Sequence, residues 1–357
     1  MSKRLFGTRV IHRIVIAALF VFCVFPGGVL SQEPFYKGKT ITIIQGREPG
    51  GTGDLRVRAV MPFLRKYIPG EPAIVSEYMP GGGGRKAANH LYRSAKPDGL
   101  TIANVGAGLI ANAILGETGV QYDLDKLIYL GSPNSATHYV FLTRGEAGWD
   151  TLEKLRDAKG VRVGAQSVGH DIYLNGRLFA YLLDLKETRF VTGYSGPEVD
   201  AALVRGEIDA RANIADTVIQ RTPEWIEKKL VDFHAILEIP KGDKHPQFKR
   251  LPELESFAKS ETERKLLAMS RAFRLGGSPY ILPPGTPKER VQILQEAIRK
   301  TFRDSDFPKE FKKLAGDDPT PLTPEALETA IREAPRDRQI IELFKKLASG
   351  EPLPARQ

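Results

Sequence analysis

The chain has 357 residues, 52 Lys and Arg against 43 Asp and Glu, and a formal charge of +9 at pH 7. Four of those charges, Lys3, Arg4, Arg9 and Arg13, precede residue 14, so the rest is mildly basic and lacks the clustered Lys/Arg that marks nucleic-acid binding. Cys23 is the only cysteine, which excludes a disulfide framework, and the length suits two domains held by core burial.

The basic start is followed by an apolar run from Ile14 to Phe25, a Pro26-Gly27-Gly28 breaker and the small residues Val29 and Ser31. That order is the layout of a secretory signal peptide over residues 1–31, with cleavage after Ser31. The run is short of the ~20 residues that a membrane span needs. A periplasmic location and a mature chain without cysteine follow as expectations.

From Thr40 the sequence alternates β-rich runs with helical periodicity, which predicts a parallel α/β architecture. Thr40–Ile44 reads as a buried strand, followed by a Gly-rich turn and a helix with Leu55, Ala59, Val60, Phe63, Leu64 and Tyr67 at helical spacing. Residues 73–75 and 101–105 are further strands, separated by a helix over 85–94. The middle of the chain repeats the scheme: strands at 161–164, 189–192, 208–212 and 231–239, helices at 172–183 and 197–204. From Pro287 helices dominate, with a stop at residues 304–306 and a new start at Thr323-Pro324, Thr323 being the N-cap. No repeat of 20–50 residues and no low-complexity tract is present.

The segment Pro49-Gly50-Gly51-Thr52-Gly53-Asp54 stands between a strand and a helix. Glycines there leave amide N–H groups uncovered, and a helix start adds unpaired donors, a combination suited to an anion. Asp54 either caps the helix or orients water and ligand donors; the same residues also make an ordinary tight turn. The segment has neither the Gly-Lys-Ser/Thr ending of a phosphate loop nor the spacing of a dinucleotide fingerprint, so no cofactor is expected. Similar loops follow at residues 80–84, 165–171 and 192–197. In open α/β sheets such loops gather at the carboxyl ends of strands, where ligands sit. Ser167 and His170 lie in one loop without a nucleophile elbow, and His90, His138, His234 and His245 show no metal spacing, so neither an enzyme nor a metal site is expected. Arg211, Asn213 and Asp216 follow a strand and either reach the ligand or form structural salt bridges.

Several motifs together resemble the Bug-type periplasmic receptors of tripartite tricarboxylate transporters. They are Tyr36-x-Gly38-Lys39, Pro49-Gly50-Gly51 with Asp54 and Arg58, Val75-x-Glu77-x-x-Pro80 with Gly81–Gly84, and Pro97-Asp98-Gly99-Leu100-Thr101. Gly176-Arg177-Leu178-Phe179, Tyr194-Ser195-Gly196, Gly206-Glu207-Ile208-Asp209 and Pro283-Pro284-Gly285-Thr286-Pro287 continue the likeness in constant order. The resemblance implies a type II periplasmic-binding-protein fold, with two α/β lobes, two crossovers and a central ligand cleft. Lobe one would take residues 32–136 and 242–357, and lobe two residues 137–241. It implies a monomer that captures a small carboxylate (a di-, tri- or aromatic carboxylic acid) and delivers it to a membrane permease; a receptor for a sensor kinase and, less favoured, a periplasmic hydrolase are the alternatives.

Carried over by position, Gly50, Gly51, Thr52 and Asp54 would form the carboxylate pocket, lined by Gly106, Ala107 and Gly108. Lobe two would add Ser167, Gly169, His170, Tyr194, Ser195 and Gly196. The chain departs from the pattern at Arg47, where an aromatic residue is usual, and at His170, Tyr173 and Gly193. Arg47 either pairs with a second carboxylate of the ligand or faces solvent beside Glu48. His170 either donates to a carboxylate or caps its helix.

Overall fold

A computed structural model of the chain describes residues 33–106 and 108–356; the expected signal peptide lies outside them. Two five-stranded sheets form the frame. The first contains β1 (Thr40–Gln45), β2 (Ala73–Tyr78), β3 (Thr101–Asn104), β4 (Ile128–Gly131) and β10 (Tyr280–Leu282) in the order β2-β1-β3-β10-β4. The second contains β5 (Tyr139–Arg144), β6 (Arg162–Gly164), β7 (Arg189–Val191), β8 (Ala210–Ile214) and β9 (Val231–Leu237) in the order β7-β6-β8-β5-β9.

The helices fall between them. They are α1 (Thr52–Tyr67), α2 (Arg85–Arg93), α3 (Gly108–Ile114), α4 (Leu152–Asp157), α5 (Asp171–Leu182), α6 (Gly196–Val204) and α7 (Ala215–Arg221). Then follow α8 (Pro223–Glu227), α9 (Glu261–Leu275), α10 (Lys288–Arg303), α11 (Phe307–Ala315), α12 (Pro324–Arg332) and α13 (Arg338–Ala348). Among the described residues no helix is long and apolar enough to cross a membrane.

The expected all-parallel scheme is corrected: each sheet holds one reversed strand. β10 runs antiparallel to β3 and β4, and β5 runs antiparallel to β8 and β9. The cause is topological. β5 is the first strand after the chain crosses into the second sheet, and β10 is the strand that re-enters the first. Each enters from the side where the parallel strands end, so each must run against them. The crossing segments therefore lie beside the carboxyl ends of the parallel strands in both sheets. Thr137 N–H donates to the Ile239 carbonyl at 3.1 Å, tying the two crossings together. A later stretch joins them, with Ser132 bridged to Leu322 and Asn134 to Thr320.

Side-chain burial follows periodicity. In β1, Ile41, Ile43 and Ile44 are buried; in α1, Val57, Val60 and Leu64 are, against Phe307 and Phe311. One core cluster draws from both sheets: Ala103 and Ile281 from the first, Phe141 and Ala210 from the second, joined through Phe273 of α9 and Phe344 of α13. Residues from Pro34 onward form one compact unit. Phe248 and Leu251 pack in the smaller cluster under the second sheet, and Glu253 bridges to Ile236 of β9. Thr323 accepts from Ala326 N–H at 3.3 Å as the N-cap of α12, as its sequence predicts.

His234 of β9 is 5 % exposed and hydrogen-bonded to Thr143 Oγ1 at 2.8 Å. Burial pushes its imidazole down to about 4. An unfolded histidine titrates near ~6.5, so between these values the unfolded chain binds the extra proton. His234 thus contributes stability that is complete above ~6.5 and is lost as pH falls toward 4. Urea titrations of the parent at pH 7 and 4.5 should differ by a few kcal/mol more, on the order of 2–3, than those of His234→Gln. Equal losses in the two proteins would remove His234 from this pH dependence.

Candidate functional site

The loop between β1 and α1 is built around a buried carboxylate. Asp54 is 0 % exposed, and its Oδ1 accepts from Gln45 Nε2 at 2.7 Å and Tyr78 Oη at 2.9 Å. Its Oδ2 accepts from the Gly50 N–H at 2.9 Å and pairs with Arg58 at 3.0 Å. Burial pushes the carboxyl up, but these donors, led by the Gly50 N–H, outweigh it and hold the group below its ordinary value. Asp54 is not the cap of α1; Gly51 occupies that position. Asp54 instead folds the loop back on the strand, and Gly50, with φ at +83°, supplies the left-handed turn that lets it do so.

That fold uses the Gly50 N–H and leaves the next three. Among the described residues, no acceptor receives the N–H of Gly51, Thr52 or Gly53, which head α1 and point outward as its free donors. Gly50, Gly51 and Thr52 are exposed, and a Cβ placed on Gly50 or Gly51 would meet nothing within 4 Å.

Arg47 is half-buried and turned inward, not outward beside Glu48. Its Nη2 donates to Asn104 Oδ1 at 2.8 Å, and a Cβ on Gly53 would lie 2.0 Å from its Nη1. The guanidinium is therefore laid over Gly53 in the first turn of α1. Only a glycine at 53 permits this. No carboxylate lies within ion-pair distance of Arg47 among the described residues, and burial lowers its pKa. Asn104 is set by its own network: its amide donates to the Ser278 carbonyl at 2.9 Å, and Ser278 Oγ donates to its Oδ1 at 3.1 Å. The fully buried Tyr280 hydroxyl beside Arg47 has no hydrogen-bond partner.

Gly106 and Gly108 follow β3 at the same end of the sheet, and Ala107 lies outside the described residues. Gly108 packs against the Gly83 carbonyl, where a Cβ would stand 2.4 Å away. The four glycines at 81–84 all have positive φ, between +58° and +131°, and serve this close approach.

In the second sheet Ser167 and Gly169 are exposed on the loop after β6. His170 Nδ1 accepts from Ile172 N–H at 3.1 Å as the N-cap of α5, and burial lowers its pKa. Among the described residues no hydrogen bond joins Ser167 Oγ to His170. Ser195 N–H donates to Glu198 at 2.6 Å at the head of α6, and Gly196 stands beside it. Tyr194 is half-buried, with its hydroxyl toward Glu207. Arg211 is 2 % exposed and paired with Asp200; Asn213 accepts from Ile214 N–H; Asp216 pairs with His245 at 3.2 Å. All three have structural partners. Tyr173 turns from the loop, donating to the Ser349 carbonyl at 2.8 Å beside Arg177.

Gln45, Asn104, Ser278 and Arg274 escape sequence reasoning. Arg274 of α9 pairs with Asp171 of α5 at 3.2 Å, and Tyr139 Oη donates to the same carboxylate oxygen at 2.6 Å. The helix returning to the first sheet thereby touches the lobe-two loop. The hollows of about 170 and 390 Å³ on this surface lie elsewhere, beside α13 at Leu343 and Lys346 and beside α3 at Ile114 and Tyr122.

No family model matches the chain, and no curated protein does. Solved structures do. A TctC solute-binding protein from Polaromonas, without ligand, superposes with a TM-score of 0.64 at 20 % identity, over 87 % of this chain and 98 % of that one. The chain has the fold of the periplasmic solute-binding proteins. The same fold is seen in the periplasmic binding protein BugD, with a TM-score of 0.54 at 20 % identity over 87 % and 98 % of the two chains. It is seen again in MatC of Rhodopseudomonas palustris with bound malate, at 0.53 and 20 % over 87 % and 99 %. The two α/β lobes expected from the sequence are thereby established.

Asp54→Ala should destabilise the protein by about 1–3 kcal/mol, because it removes an acceptor shared by Gln45, Tyr78 and the Gly50 N–H and frees the loop. Thermal melts without ligand measure this; an unchanged midpoint would show that the loop stands without its carboxylate.

Proposed function

We propose that this protein is an extracytoplasmic solute-binding receptor that captures a small carboxylic acid between its lobes and passes it to a membrane permease. The observation that carries this reading is the Arg47 guanidinium packed on Gly53, in the helix turn where the N–H groups of Gly51, Thr52 and Gly53 have no acceptor among the described residues. A half-buried cation with no counter-charge, set against unpaired backbone donors, suits a carboxylate held by charge-assisted hydrogen bonds. Arg47 thus belongs with the first carboxylate of the ligand, in the same subsite as Gly50, Gly51 and Thr52. Asp54 acts behind them by holding the loop. Gly106, Ala107 and Gly108 would line the lobe-one wall, and Ser167, Gly169, His170, Tyr194, Ser195 and Gly196 the lobe-two wall.

The neighbours support the class. MatC carries malate, and another R. palustris protein of this fold, at 15 % identity and a TM-score of 0.53, carries adipate. The basic and apolar order of residues 1–31 supports export, and with it a periplasmic receptor and a permease partner.

A ligand that binds only the folded state raises the melting temperature by mass action. Dicarboxylates, tricarboxylates and aromatic acids screened by thermal shift should include at least one that raises the midpoint. Arg47→Ala should weaken that ligand by roughly 10-fold to 100-fold, the worth of a charge-assisted pair, while the unliganded midpoint moves little. Midpoints that respond to neutral solutes and to no carboxylate would overturn the anion subsite.

A further inference from the structure

The second lobe contains a cation that the function above leaves unused. Arg221 ends α7, the helix that starts where β8 stops. Because β8 is parallel to β6, and β6 to β7, the ends of all three strands lie on the cleft side. Three segments meet there. A Cβ on Gly196, after β7, would lie 3.5 Å from Arg221 Nη1 and 3.7 Å from Nε2 of Gln166, after β6. The Gly193 N–H donates to the Gln166 carbonyl at 2.8 Å and joins two of these segments. Gly196 has no side chain to cover the guanidinium, and the Gln166 Oε1 is buried with no hydrogen-bond partner.

An exposed arginine is ordinarily a solvated surface group. Two features set Arg221 apart. It makes no hydrogen bond or ion pair among the described residues, although an acid stands close by. That acid, Asp200 of α6, is already bound to the buried Arg211, and Glu224, the other acid near Asp200, forms no ion pair with Arg221. The one carboxylate near both guanidiniums is thus taken by Arg211. Burial, followed by the opposing effects of Asp200 and Arg221, brings Arg211 down to about 10. The positive charge left over projects toward Gly196.

The geometry points to Arg221 as the specificity-determining residue of the second lobe, taking a second anionic group on the solute whose first carboxylate lies at Arg47. This rests on the receptor reading, and it assigns the two acidic ends of the ligand to two arginines on opposite lobes. A planar guanidinium grips a carboxylate with two parallel N–H bonds, which a lysine does not reproduce. A solute with one carboxylate would engage only the first lobe.

Calorimetric titration of the full chain with matched acids, butanoate against butanedioate and hexanoate against hexanedioate, tests this. The parent should prefer one of the diacids to its monoacid. Arg221→Gln should weaken that diacid by roughly 10-fold to 100-fold and leave the monoacid unchanged, with Arg221→Lys between the two. Unliganded melts of both variants should match the parent, since Arg221 has no partner to lose. Arg221→Gln binding the diacid as tightly as the parent, or a parent indifferent to the second carboxylate, would overturn the assignment. A parent that binds none of these acids, nor any acid of the thermal-shift screen, would instead overturn the carboxylate-receptor reading on which it stands.

Discussion

The site depends on one buried carboxylate. Asp54 has no contact with solvent, yet it draws donors from the strand end at Gln45, the neighbouring strand at Tyr78, the loop at Gly50 and the helix at Arg58. A buried charge persists only when its lone pairs are filled, and here four donors fill them. The consequence is geometric. With Gly50 pulled back, the next three N–H groups have to face outward, and the space over Gly53 is open for Arg47. A loop of glycines without this anchor would sample many conformations, and the anion donors would not be in register.

A second tier fixes the arginine. Asn104 closes the buried strand β3 with a polar side chain, and both ends of its amide are engaged. Through Ser278 it connects to the segment from Arg274 to Tyr280, which leaves α9 and enters the first sheet. Arg274 reaches the opposite lobe at Asp171. Polar contacts at each end of this backbone segment thus link the loop of the first lobe to the start of α5. Each member is oriented by the next, which is how a site on loops attains the rigidity of one on strands.

Much of this was legible from the residues. The strand-turn-helix unit at 40–67 is written in a change of period from two to about 3.6 across a glycine-rich break, and it folds as such. Two central strands were not. β5 reads Tyr-Val-Phe-Leu-Thr-Arg without alternation because both its faces are covered, and β10 has only three residues. Their reversed direction follows from the crossings, which no local window records. β8 was placed two residues early: Ile208 is buried, but Asp209 turns to Arg162 and Arg144, so the ladder begins after it. At the site, the glycine-rich strand-to-helix loop could be read from composition, whereas the inward turn of Arg47 depends on Asn104, distant in sequence. Tyr173 had no readable reason at all. It stands against a chain segment some 176 positions away, where its hydroxyl meets Ser349.

The apolar cluster that draws on both sheets bears on how the molecule comes apart. Side chains from Ala103 to Phe344 belong to it, and neither lobe can expose its share without stripping the other. Lobes joined only by hinge strands could melt one after the other. These lobes share an interior, so the loss of either one uncovers apolar surface of the other. A contact that stabilises one lobe is accordingly felt in the other, through the apolar surface they hold in common.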